Sequence, residues 1–211
     1  MKQVTTILFD MYGVIIEQSK GKFIPYTFQS FDESQHERLN RQFRQDKLFL
    51  KAGVGEIDSD TFLSLLGFDD PQFHMRNYIE NYLTIDAGFK PFAEEFAGKY
   101  DFVLLSNDVS AWSEYLTAYH DMNKYFKEKI VSGDVKCRKP DKRIYELALE
   151  RTGKSPRECI FIDNKVENLV VAQELGIKPI LFNRDGEEYD GIIVNTFEEL
   201  ADILTAVQEG V

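Results

Sequence analysis

Residues 5–16 read Thr5-Thr6-Ile7-Leu8-Phe9-Asp10-Met11-Tyr12-Gly13-Val14-Ile15-Ile16. An apolar run ends in an aspartate, and a glycine follows three residues later. A carboxylate at the tip of a buried strand is costly unless it is paired or takes part in chemistry. Similar short apolar runs recur along the chain: DFVLLS from Asp101, EKIVSG from Glu128, CIFID from Cys159, KPILF from Lys178 and GIIVN from Gly191. None alternates strictly between apolar and polar, as expected of strands buried on both faces of a parallel sheet.

Helical patterns separate these runs. KPDKRIYELALERTG has Pro140 near its start and Gly153 where a helix-ending glycine belongs. VENLVVAQELG places Val166, Leu169, Val170 and Gln173 along one expected stripe and stops at Gly176, and FEELADILTAV closes the chain. Strands alternating with helices predict an α/β fold, a doubly wound, Rossmann-like parallel sheet. From about Gln18 to Ile85 the rhythm breaks. This stretch reads as helical, with ESQHERLNRQFRQDKLFLKAG and DSDTFLSLLG its clearest pieces and Asp58 an expected N-cap. Such a block is far too long for an ordinary strand-to-helix loop. The expected division is an α/β core over residues 1–17 and 86–211 and an inserted helical cap over 18–85.

Composition narrows the function classes. The chain has 211 residues, 43% hydrophobic and 29% charged, with seventeen Phe and ten Tyr. That length and balance suit one globular domain with a modest insertion. No run of about 18 apolar residues is present, so no membrane span is expected. The start lacks the apolar segment of a signal peptide, and Cys137 and Cys159 read as reduced thiols, which together predict a cytoplasmic protein. A net charge of −11 with no basic block argues against nucleic acid as a partner. A small anionic substrate remains compatible, since it needs only a few local cations. Aromatic residues in the helical block leave monomer and homodimer both open.

Ligands of open α/β sheets bind beyond the carboxyl ends of the strands. There the first run delivers Asp10, the second Ser106, Asn107 and Asp108, the third leads to Lys139, and the fourth gives Asp163 and Asn164. Three acids, a hydroxyl, two amides and a lysine are thus expected at one edge.

With ILFDMYGVI, LLSND, RKPDKRIYELAL and IFIDNKVEN in this order, the chain resembles the haloacid dehalogenase superfamily of hydrolases over nearly its whole length. The resemblance implies that Asp10 is a nucleophile forming a covalent aspartyl intermediate. It implies that Ser106 and Asn107 bind the transferred group and that Lys139 offsets the charge of Asp10 and substrate. In the phosphatase branch it implies Mg²⁺ held by Asp10, the backbone carbonyl of Tyr12, and Asp163 or Asn164.

Two positions depart from the phosphatase pattern. Most such phosphatases carry an acid two residues after the nucleophile, to protonate the leaving oxygen and then activate water. Here that position is Tyr12, a poor base at neutral pH. General acid–base help is worth about 10²–10⁴-fold, so a phosphatase without it should be slow. Asn164 replaces a second acid and carries no charge.

Asp-x-Tyr-Gly also resembles the metal-free 2-haloacid dehalogenases, in which the aspartate displaces halide from carbon. Ser106, Asn107, Lys139 and Tyr145 match that branch. Asp163, Lys165, Asn168 and Val14 do not, and the water-activating acid of that branch is missing. Asp163 tips the reading toward a slow Mg²⁺-dependent phosphatase of small phosphorylated metabolites, because a carboxylate there makes sense beside a cation. A dehalogenase-type hydrolase and a catalytically degenerate binding protein are the alternatives.

For the inserted block, the turn KAGVGEID is expected to face the site, with Gly53 and Gly55 allowing close backbone approach. Arg41, Arg44 and Lys51 are candidate anion contacts. Phe23, Tyr26 and Phe28 are candidate pocket aromatics for which core packing is the commoner fate, and the three histidines read as surface or structural.

Overall fold

The computed structural model describes residues 4–209. Residues 1–3 and 210–211, the outermost parts of the core spans expected from sequence, lie outside the described residues. Six strands form one parallel sheet: β1 (Thr6–Phe9), β2 (Asp101–Ser106), β3 (Phe126–Val131), β4 (Cys159–Asp163), β5 (Lys178–Phe182) and β6 (Ile192–Val194), in the order β3-β2-β1-β4-β5-β6. Each matches one of the six apolar runs. β1 is central, with Phe9 opposite Leu104 on one side and Ile162 on the other. The absence of alternation has its expected cause. Ile7 and Phe9 enter one apolar cluster, Leu8 enters a second on the opposite face, and both faces are covered.

Between β1 and β2 run α1 (Phe23–Gln29), α2 (His36–Arg44), α3 (Leu48–Gly53), α4 (Ser59–Leu66), α5 (Pro71–Tyr82) and α6 (Phe89–Phe96), with a 3₁₀ turn at Glu33–Gln35. The expected long helix from Glu33 to Gly53 is broken. Lys47 adopts φ 53°, in the left-handed region, and separates α2 from α3. Asp58 caps α4 as expected, its carboxylate accepting from the Thr61 N–H at 2.7 Å. The two connections between sheet and helical block lie side by side: Glu17 N–H donates to Thr84 O at 2.9 Å and Asp86 N–H to Ile15 O at 2.8 Å. The block does not pack alone. Phe23, Phe62 and Tyr78 belong to the same apolar cluster as Phe9 and Phe102 of the sheet.

The remaining helices are α7 (Ser110–Tyr119), α8 (Ser132–Val135), α9 (Lys142–Thr152), α10 (Val166–Glu174) and α11 (Phe197–Glu209). Gly153 ends α9 at φ 66°. The expected stripe of α10 is corrected: Asn168, Leu169 and Ala172 are its buried residues, while Val170 and Gln173 are exposed. Asn168 is drawn inward by a polar partner, which an apolar pattern does not register. Cys137 and Cys159 are unpaired. Among the described residues no helix is long and apolar enough to cross a membrane.

Candidate active site

The carboxyl ends of β1, β2 and β4 and the loop after β3 bring the expected residues together. Lys139 is the hub. Its ammonium donates to Asp10 Oδ1 at 2.5 Å and to Asp163 Oδ2 at 2.8 Å, and all three residues are buried. Asn107 holds the lysine in place through two reciprocal bonds. Its Nδ2 donates to Lys139 O at 3.0 Å, and Lys139 N–H donates to its Oδ1 at 2.8 Å. Asn107 lines the cavity as expected, but its amide is paired at both ends with the Lys139 backbone, so it positions the lysine.

Asp163 is engaged on both oxygens. Lys165 N–H reaches Oδ1 at 2.7 Å, and Asn168 Nδ2 joins Lys139 on Oδ2 at 3.0 Å. It faces the lysine and is not turned toward a free position. Ser106, at the end of β2, is fully buried and its hydroxyl has no partner. A buried hydroxyl without a partner is costly in a native fold and marks a place where a ligand oxygen would be welcome.

Burial and charge set the protonation states. Burial pushes the Asp10 carboxyl up to about 7; Lys139 opposes the rise and the Asp163 charge adds to it. Burial works against the charge on Lys139 as well, but Asp10 and Asp163 outweigh it and raise its pKa. Two carboxyl groups share one ammonium, so with both ionised the edge is short of positive charge.

Tyr12 lines the cavity, and its hydroxyl donates to Asp108 Oδ2 at 3.2 Å. Burial, with the Asp108 charge next, pushes the Tyr12 phenol well above its usual range. Asp108 is itself buried and receives Val109 N–H on Oδ1 at 2.8 Å. Burial pushes its carboxyl up to about 7, against the pull of Val109 and Tyr12. Asp108 was visible in sequence only as the third residue of Ser106-Asn107-Asp108, with nothing to mark its pairing to Tyr12.

Asn164 is buried and lines the cavity. Its Nδ2 donates to Asp185 Oδ2 at 3.1 Å, in the loop after β5. A carboxylate accepts only, so this contact fixes which end of the amide is nitrogen. No donor among the described residues meets the Asn164 oxygen. Gly13, at φ 90°, gives Asn164 its room, since a Cβ there would run into the amide. Asp185 also receives Lys165 Nζ, and Ser19 Oγ at 2.7 Å. Burial works against its charge, but Lys165, Ser19 and Asn164 hold its carboxyl below the usual range. Asp185 lies far along the chain from Asn164, and no motif announced it.

The helical block closes the cavity, whose volume is about 770 Å³. Arg41 and Arg44 do not reach it. Both are exposed on α2, and Phe43 lines the cavity instead. Successive helical residues are about 100° apart, so a helix that turns Phe43 inward turns its neighbours away. Lys51 is likewise absent from the cavity wall. Besides Lys139, the cations that line it are Lys20, Arg138 and Lys165. Among the described residues Lys20 and Arg138 have no ion-pair partner, and both are exposed.

The glycine turn differs from expectation. Gly55, at φ 67°, packs on the backbone of the core, where a Cβ would strike the Gly133 carbonyl. Gly53 lines the cavity, and its carbonyl accepts from Ser132 Oγ. Phe23 and Tyr26 are core residues, and Phe28 packs against Phe43 at 6.2 Å. His36 bonds Phe28 O at 3.0 Å, and His74 pairs with the Tyr26 hydroxyl at 2.7 Å, as structural residues. Tyr145 is fully buried, its hydroxyl on Asn168 O at 3.0 Å, and is not on the cavity wall.

Among the described residues no three His, Cys, Asp or Glu side chains converge as a metal cluster. The donors at this edge are all oxygens: the Asp10 carboxylate, the Asn164 amide oxygen and the Tyr12 carbonyl, which accepts no hydrogen bond among the described residues. Such a set suits a hard cation that keeps water or substrate oxygens in its shell.

Comparison with known proteins converges on one family. A profile of haloacid dehalogenase-like hydrolases matches residues 4–176. A glyceraldehyde 3-phosphate phosphatase of Methanothermobacter thermautotrophicus is 30% identical over 90 residues, 39% of this chain, so that the match spans only 40% of that relative's length. An (S)-2-haloacid dehalogenase of Pseudomonas putida is 24% identical over 90% of this chain and 89% of its own. Among solved structures, a haloacid dehalogenase family enzyme of Bacteroides thetaiotaomicron, in complex with magnesium and inorganic phosphate, superposes with a TM-score of 0.72. It is 23% identical, over 89% of this chain and 98% of that one.

Proposed function

Because this chain belongs to the haloacid dehalogenase-like hydrolases, we propose that it hydrolyses phosphate monoesters of small metabolites, with Asp10 as nucleophile and Mg²⁺ as cofactor. The observation that carries this reading is the pairing of two buried carboxylates, Asp10 and Asp163, with the single ammonium of Lys139. An edge with surplus negative charge repels an anionic substrate unless another cation joins it. Asp10, the Tyr12 carbonyl and the Asn164 oxygen would hold that cation, with Asp163 behind them gripping Lys139. When bound, Mg²⁺ would supply charge neutralisation for the phosphoryl oxygens.

The chain's own residues do the rest. Lys20 and Arg138 at the cavity wall draw an anion into a molecule of net charge −11. The helical block acts as a cap that excludes water. Ser106 offers its unpartnered hydroxyl to the phosphoryl group. An Asp10 oxygen attacks phosphorus, the bond to the leaving oxygen breaks, and that oxygen takes a proton from solvent water as the alcohol departs. Water then attacks the phosphorus, releases phosphate and restores the carboxylate. Tyr12 cannot serve as the base for that water, because its proton is held by Asp108 and its pKa is raised. With Tyr12 unavailable, departure of the leaving oxygen and hydrolysis of the intermediate both lose that help, and a substrate with a good leaving group leaves hydrolysis as the slow step.

Turnover of 4-nitrophenyl phosphate with Mg²⁺ and with chelator tests the reading. Activity that needs Mg²⁺ supports it. Halide release from a 2-haloacid in the presence of chelator, with no phosphatase activity, replaces it with the metal-free reaction.

A further inference from the structure

The cavity above Asp10 has a polar floor and a partly apolar wall. The floor is the strand edge, with Asp10, Lys139, Asn164 and Asn168. Part of the cavity wall, beside Lys20 and Arg138, is an apolar patch: Ile24 of α1, Phe43 of α2, Phe49 and Leu50 of α3, and Trp112 of α7. Ile24 and Leu50 are 44% and 38% exposed and open onto this cavity, contiguous with the rings beside them.

The wall is backed by rings that fix its shape. Phe23 lies 5.5 Å from Phe49 and 4.7 Å from Trp112, and Phe49 stacks on Phe62 at 5.7 Å. The one polar atom of Trp112 is already bonded to Ser59 Oγ at 2.7 Å. These five residues therefore offer no free side-chain hydrogen-bonding group. A polyol chain laid there would lose water from its hydroxyls and gain no partner. An apolar body would lose only unfavourable hydration.

Resting on the phosphatase reading, we propose that the substrate is a phosphate ester whose alcohol portion is apolar and ring-bearing, seated on Ile24, Phe43, Phe49, Leu50 and Trp112 with its phosphate toward Asp10. A volume of about 770 Å³ leaves ample room for a ring beyond the phosphate. Leaving-group acidity does not enter this assignment, which concerns contact alone.

The test compares kcat/KM of the full chain with Mg²⁺ for benzyl phosphate and ribitol 5-phosphate. Both are esters of primary alcohols, so their leaving groups are similar in acidity. Benzyl phosphate is expected to be favoured by about tenfold or more. Leu50→Asp, at an exposed position of the wall, is expected to cut the benzyl value by about tenfold and to narrow the ratio. As a second readout, binding to an Asp10→Asn variant by calorimetry should favour benzyl phosphate in the same sense. Ribitol 5-phosphate hydrolysed equally well or better overturns the apolar assignment and leaves the phosphatase reading standing. Failure of 4-nitrophenyl phosphate, benzyl phosphate and ribitol 5-phosphate alike overturns the phosphatase reading and this inference with it.

Discussion

At the residue scale, the chemistry turns on what surrounds Asp10. Lys139 is shared between Asp10 and Asp163 and has no solvent to fall back on. Removing it leaves two buried acids unpaired, so Lys139→Met is expected to lose about 3–5 kcal/mol of stability by urea denaturation at neutral pH. Tyr12 occupies the position of the missing acid, and its hydroxyl is committed to Asp108. Tyr12→Asp is expected to raise turnover of aryl phosphates, with a ceiling of about 10²–10⁴-fold, read directly as kcat. No rise, in a variant that binds phosphate normally, would mean that water activation is supplied elsewhere. Asn164 has a subtler partner. Asp185 returns a negative charge one layer behind the amide. Asn164→Asp alone would set two carboxylates against each other, so calorimetric Mg²⁺ affinity is expected to rise only when Asp185→Asn accompanies it.

At the element scale, the caps and turns of the helical block shape the cavity. Asp58 starts α4 by accepting from the Thr61 N–H. Asp58→Ala should cost about 1 kcal/mol at neutral pH. Hydrogen bonding to Thr61 lowers the folded Asp58 pKa. The cap's contribution is therefore fully present above the unfolded carboxyl value of about 3.9 and lost as pH falls through the lower folded value. The gap between wild type and variant melting curves should close in strong acid. Elements of this kind were legible from residues alone. Six buried runs gave six strands, because a sheet covered on both faces leaves a continuous apolar signature. Asp58 and Gly153 carried local rules that nothing overrode. What failed depended on tertiary context. Lys47 in a left-handed conformation has no sequence marker, so the break between α2 and α3 was invisible. The face of α10 was misjudged because Asn168 turns inward to Asp163. Arg41 and Arg44 suggested an anion site, yet α2 points Phe43 at the cavity and leaves both arginines in water.

At the scale of the whole molecule, the helical block and the sheet share one apolar cluster, and the site lies where they meet. The motif residues were readable because each follows a strand, and parallel strands deliver their ends to one edge. Asp185 and the rim cations Lys20 and Arg138 were not, since only the folded chain brings them there. Both cysteines are unpaired, so a reductant should leave the melting temperature unchanged. A drop with reductant would reveal a disulfide absent from this fold.

The proposed covalent bond to Asp10 can be observed directly, since with Tyr12 where related phosphatases carry an acid the intermediate is expected to accumulate. The direct measurement is the mass of protein acid-quenched during turnover of 4-nitrophenyl phosphate with Mg²⁺, followed by peptide mapping. One added phosphoryl group on the peptide containing Asp10, matched by a pre-steady-state burst of nitrophenol and lost in Asp10→Asn, is the result expected. Turnover that persists in Asp10→Asn, or a phosphoryl group found on another residue, would contradict it.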